Sequence, residues 1–168
     1  IFISAHNNMV SQEEVVTNSL ANLDAEFKRR ADLIPNLLET VKGYTSHENK
    51  AIDRVLEART KLENANSVEE KSNANAELSN SLSSLMVIVE NYPDLKASQN
   101  FTQLADELAG TENRIAVARR DYNNAAGEFN AMIKKFPNNI LASLLGFEKK
   151  SYLQTDEKDK EVPHVHFD

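Results

Sequence analysis

An apolar stripe running from Phe101 to Phe136 constrains this chain more than any other feature. Alternate steps of three and four residues land on Phe101, Leu104, Leu108, Thr111, Ile115, Ala118, Tyr122, Ala125, Phe129, Met132 and Phe136, and only Thr111 is not apolar. That spacing holds one narrow edge of an α-helix against a partner. The helix it predicts is about 54 Å long. The adjacent column, Ala105, Glu112, Arg119, Ala126 and Ile133, widens the edge and brings two charges with it.

The same period recurs elsewhere. Val16, Leu20, Leu23, Phe27, Arg30, Ile34, Leu37 and Val41 predict a helix over 9–42. The seam keeps its phase through Pro35, so the Pro is read as a kink and not a stop. Gly43 then ends the helix in the position where a left-handed residue is cheap. Thr45 with Glu48 and Ser67 with Glu70 read as capping boxes. They open helices over 46–64, with the seam Ile52, Val55, Arg59 and Leu62, and over 68–91, with Ala74, Leu78, Leu85 and Ile88. Pro93 pushes Tyr92 out of helical geometry and stops the latter. After Pro137, the run Ile140, Leu141, Leu144, Leu145 and Phe147 fits a short helix folding back onto the others.

Gly and Pro number four each in 168 residues, far below ordinary usage, and a fold of many short strands and turns is thereby excluded. Short loops force neighbouring helices to run antiparallel. The expected fold is all-α: an elongated antiparallel four-helix bundle with one extra-long helix and a short C-terminal helix. Residues 9–150 form the bundle, and 151–168 form a charged, extended tail. Residues 1–8 open on Ile1-Phe2-Ile3 and read as the stub of a removed membrane anchor. No Lys or Arg precedes Lys28, which points the domain to the extracytoplasmic side.

The chemistry is mostly a series of exclusions. A net charge of −7 argues against nucleic acid as a partner. Without Cys there are no disulfides, thiolate metal sites or Cys nucleophiles. A di-metal helical bundle needs Glu-x-x-His pairs on helices, and the single instance, Glu161 to His164, is broken by Pro163. His47-Glu48 begins a zinc-protease motif that fails at Ala51. The Gly residues lie too far apart for a phosphate loop. His164 and His166 could share one side of an extended chain, but two imidazoles alone make a poor metal site. No catalytic residue, cofactor or metal is assigned.

Five charged residues fall on or beside core-facing columns: Asp24, Arg30, Arg59, Glu112 and Arg119. Burying a charge is expensive unless it is paired, so they are expected to meet one another, with Arg30 or Arg59 against Glu112. Such contacts would fix helix register. The alternative is a polar cavity for a small anion or metal.

Several strings resemble signatures of the LemA family. They are Leu23-Asp24-Ala25-Glu26-Phe27-Lys28-Arg29-Arg30-Ala31-Asp32-Leu33-Ile34-Pro35-Asn36-Leu37, running on to Val41-Lys42-Gly43-Tyr44, then Glu90-Asn91-Tyr92-Pro93-Asp94-Leu95-Lys96-Ala97 and Thr111-Glu112-Asn113-Arg114-Ile115-Ala116. Ala118-Arg119-Arg120-Asp121-Tyr122-Asn123, Phe136-Pro137-Asn138 and the Pro163-x-Val165-x-Phe167 ending complete the set, covering 15 to 168. His164 and His166 depart from the small or apolar residues of the family's ending. The resemblance implies a bacterial, single-pass membrane protein with a helical-bundle domain and no established biochemical activity. It also implies membrane roles, including magnetosome membranes and a neighbouring membrane zinc metalloprotease. The expected function is a membrane-anchored scaffold or adaptor, not an enzyme, acting by helix docking on an unidentified protein partner such as a membrane protease. Self-association of the rod is a further expectation, and a small-ligand binder or enzyme using Arg30, Arg59 and Glu112 is the alternative.

Overall fold

A computed structural model describes residues 1–153. The described residues are helical with short connections: α1 (Phe2–Lys42), α2 (Asn49–Asn64), α3 (Val68–Val89), α4 (Pro93–Lys96), α5 (Gln99–Lys134) and α6 (Asn138–Leu145). The fold is the expected elongated helical bundle, with one change of proportion. Two helices are long, not one, because α1 has 41 residues and α5 has 36. Residues 2–8 form the first turns of α1.

α1 is the spine. It packs along α5 on one side and against the α2–α3 hairpin on another. Contacts fix the directions. Gln12 reaches Ala125 and Glu128 on α5, while Glu26 reaches Arg114, so α1 and α5 are antiparallel. Lys61 meets Glu77 across the α2–α3 hairpin. Asp24 meets Lys71 and Arg30 meets Asn75, so α1 and α3 run in the same direction.

The predicted seams do the packing. On α1, Val16, Leu23, Phe27, Arg30, Ile34, Leu37 and Val41 are buried, and Leu20 is half-buried. On α5, Phe101, Leu108, Thr111, Ile115, Ala118, Tyr122, Ala125 and Phe129 are buried. The stripe fails only at its end, where Phe136 lies beyond the last turn and is 80% exposed. Most of these apolar side chains join those of α2 and α3 in one contiguous core. Pro35 sits inside α1 without ending it, as its seam phase requires.

The helix ends depart from expectation in instructive ways. Gly43 follows α1 but is right-handed, with φ −64°, and its N–H bonds the carbonyls of Glu39 and Thr40. The left-handed glycine is instead Gly146, with φ 78°, which closes α6 where a side chain would be strained. The Thr45–Glu48 box does not form. Thr45 Oγ1 donates back to the Val41 carbonyl, and Glu48 accepts a 2.9 Å bond from the Tyr92 hydroxyl. Helix α2 therefore starts at Asn49 and not at Ser46. The Ser67–Glu70 box does form, one residue displaced: Glu70 N–H donates to Ser67 Oγ, while Glu70 Oε2 accepts from Asn66 N–H.

Candidate functional site

The five charges on core-facing columns do not gather into one cavity. Arg30, 2% exposed, leaves α1 for α3, where its Nη1 donates to Asn75 Oδ1 at 2.7 Å and Ser79 Oγ at 2.8 Å. Asp24 pairs with Lys71, further along the same interface. Arg59 comes from α2, donating through Nε to the Ala31 carbonyl of α1 at 2.7 Å and pairing with Glu63 at 2.9 Å. Glu112 is exposed on α5, so the expected contact between it and Arg30 or Arg59 is not made. Arg119 is buried on α5. The expectation treated charge as the only partner for charge. Among the described contacts, the buried guanidinium of Arg30 donates to a neutral amide and a hydroxyl of α3.

Those contacts tie α1 to α2 and α3 and set their register. Each bond holds the carbonyl or side chain of one helix at one height on its neighbour. A shallow cleft of about 390 Å³ opens beside them, with Asp24, Lys28, Glu63 and Lys71 on its walls. Among the described residues, no group of three or more His, Asp or Glu side chains is gathered to hold a metal. The His164 and His166 pair lies outside the described residues.

A second polar arrangement escaped the sequence reading. Asn123 and Asn130 lie on α5 beside the buried stripe and grip an extended strap that follows Phe147. Asn130 donates to the Lys150 carbonyl at 2.8 Å and accepts from the Lys150 N–H at 2.7 Å. Asn123 does the same with Leu153, at 3.0 and 2.8 Å. Each amide thus pairs with a backbone as a neighbouring strand would. The spacing is commensurate: seven helical residues rise about 10 Å, as do three extended ones. The hydroxyl of Tyr122 adds a bond to the Ser151 carbonyl at 2.8 Å, and Leu153 is buried beneath. Lys150 pairs with Glu13 of α1 and lies over the Phe129 ring, 5.4 Å from its centroid. The strap therefore covers the end of the α1–α5 pair away from α2, with the first turn of α3 nearest to it. Two Asn seven apart on an inward edge were the only signal for it.

Burial holds the Tyr122 phenol above its ordinary pKa of 10.0, and the Glu69 carboxylate pushes the same way. The folded state thus keeps the proton longer than the unfolded one. Its contribution is complete below about pH 10 and is lost as pH climbs through the raised value, when the Ser151 carbonyl loses its donor. In a spectrophotometric titration, Tyr122→Phe is expected to remove a late-ionising tyrosine. It also costs about 1 kcal/mol at neutral pH and flattens the alkaline fall in stability.

These features define a class: a helical bundle whose polar interior groups hold helices and a strap in register. The chain belongs to the LemA family, whose model matches residues 19–167. It is 26% identical over 164 residues to "Protein LemA" of Metamycoplasma hominis, spanning 95% of this chain and 74% of that one. It is 25% identical over 175 residues to "Magnetosome protein MamQ 2" of Paramagnetospirillum magneticum, spanning 89% of this chain and 64% of the relative. A shorter match, 36% over 73 residues, links it to "Magnetosome protein MamQ" of Magnetospirillum gryphiswaldense, at 44% of this chain and 27% of that one. The chain spans just under two thirds of MamQ 2. Among the described residues, no helix is long and apolar enough to cross a membrane.

Proposed function

We propose that the chain is the rod-like domain of a membrane-associated scaffold, which holds a protein partner at a fixed place and makes or breaks no bond. One observation carries this reading. The long seams are taken up by internal packing, and much of the large apolar surface left over gathers at the end where α1 begins and α6 lies. An apolar end on an otherwise polar rod suits a molecule with one end at a membrane and the other presented to a partner. Relatives named as magnetosome proteins agree with a membrane setting. The scarcity of cations before Lys28 supports an extracytoplasmic domain on a single-pass protein.

The partner surface in this reading lies toward the α2–α3 hairpin, where Val87 is an exposed apolar residue of α3. A membrane protease is the partner class that the family resemblance suggests. The test places a photo-crosslinking residue at position 87 of the full-length protein in its native membrane, with position 112 as the comparison. A discrete adduct from 87 that is identified as a membrane protein and absent from 112 supports the scaffold. No adduct, or adducts with lipid alone, overturns it. A ligand-binding role built on Arg30, Arg59 and Glu112 has no geometric support, since the three face α3, α1 and solvent.

A further inference from the structure

Helix α6 is amphipathic the wrong way round for a helix in water. Of its eight residues only Ala142 is buried, at 3%, and Leu141 is half-buried. Ile140, Leu144 and Leu145 point outward, Leu144 at 78% exposure. Phe136, 80% exposed two residues ahead of the helix, adds a further apolar side chain at this end. A surface helix ordinarily buries its leucines and exposes its small or polar residues.

The neighbourhood has the same character. α1 is antiparallel to α5, so its first turn arrives at this end, and α6 touches α1. That turn carries exposed Phe2 and Ile3, with Val10 two turns on. The His6 ring lies tilted against Phe147, with 6.2 Å between centroids, which brings the two segments together. No Asp, Glu, Lys or Arg occurs from Ile1 to Gln12. Around α6 the charges reverse the sign of the whole molecule. Residues 131–150 hold Lys134, Lys135, Lys149 and Lys150 against the single acid Glu148, in a chain whose net charge is −7. Lys150 is engaged with Glu13, and the other three lysines are exposed and flank α6 in the chain.

We infer that α6, Phe136 and the first turn of α1 form a lipid-seating end that rests on the surface of an anionic bilayer. This deepens the membrane reading proposed above and rests on it. The apolar face enters the headgroup–acyl boundary while the flanking lysines meet anionic headgroups, the division of labour of interfacial helices. Charge selects this occupant over a second copy of the chain. A two-fold contact would bring the same lysines of both copies together, and like charges across an interface oppose it. A bilayer supplies the missing negative charge.

The test uses the 168-residue chain without any added anchor, co-sedimented with vesicles of phosphatidylcholine alone and of phosphatidylcholine with phosphatidylserine. The expected result is binding to the serine-containing vesicles, weakened by salt. Leu144→Glu with Leu145→Glu should abolish it, and Lys134→Glu with Lys135→Glu should weaken it on the order of 10-fold. These side chains are exposed, so helical circular dichroism should be unchanged, and Val117→Glu, at an exposed site on α5 far from α6, should bind as the parent does. Binding by the leucine and lysine double variants equal to that of the parent, or no binding to either vesicle, overturns the proposal. So does a dimer in light scattering that Leu144→Glu dissolves, since that would name a second copy as the occupant. Failure here leaves the crosslinking test of the scaffold untouched, because that experiment uses the full-length protein in its membrane.

Discussion

In denaturant titration, Phe129→Ala is expected to lose about 3–5 kcal/mol of unfolding free energy, enough to unfold much of the population of a marginal domain. Phe129 is fully buried on α5, at the end of the α1–α5 pair where the strap supplies the cover. Its ring meets the edge of Phe147 at 6.2 Å and carries the Lys150 ammonium on its face. Truncation thus removes a large buried ring and two contacts that seat the strap. The cavity cannot close by sliding α1, because Gln12 and Glu13 pin α1 to α5 and to Lys150. Protease sites at Lys149 and Lys150 should open along with it, which separates strap release from uniform destabilisation. A loss below about 1 kcal/mol, with those sites still protected, would contradict this account of the strap-covered end.

The second large effect lies at the α1–α3 contact. Asn75→Leu keeps the branched outline of the side chain but takes the 2.7 Å acceptor away from a guanidinium that is 2% exposed. The expected cost is about 2–3 kcal/mol, the range for a buried charged group losing a hydrogen bond. Pairing it with Arg30→Met should recover most of that loss, because an apolar pair in place of a buried charge and its acceptor is often neutral or better. A double-mutant cycle reads this directly as a coupling of at least about 1 kcal/mol. Additive losses would mean that the two side chains meet without depending on each other. Normal stability in the double variant, Arg30→Met with Asn75→Leu, would instead assign the native pair to register and not to strength.

Which parts of this molecule its sequence announces follows from the range of the interactions involved. The seams of α1 and α5 are legible because periodicity is a local property, repeated turn after turn along one segment. Arg30 is placed correctly in a seam for the same reason. Two of the groups it meets are not legible: Asn75 and Ser79 sit 45 and 49 residues away and carry no charge that could announce them. The Thr45–Glu48 box fails by the same route, since Tyr92, far along the chain, takes the Glu48 carboxylate. Gly43 reads as a left-handed cap because most such glycines are, yet here the chain continues in a right-handed turn to Tyr44. Asn123 and Asn130 acquire meaning only when a strap lies beside them. Polar groups whose partners come from a distant segment stay silent until the fold is known.

The paired amides of α5 read main chain alone, which makes them a gauge of length and not of side-chain identity. An outward side chain of the strap such as Ser151 is free to be rewritten over evolutionary time, because only its carbonyl is read, by Tyr122. Adding or deleting one residue between Lys150 and Leu153 is another matter. It would put the two grips out of step, and one amide would be left facing empty backbone.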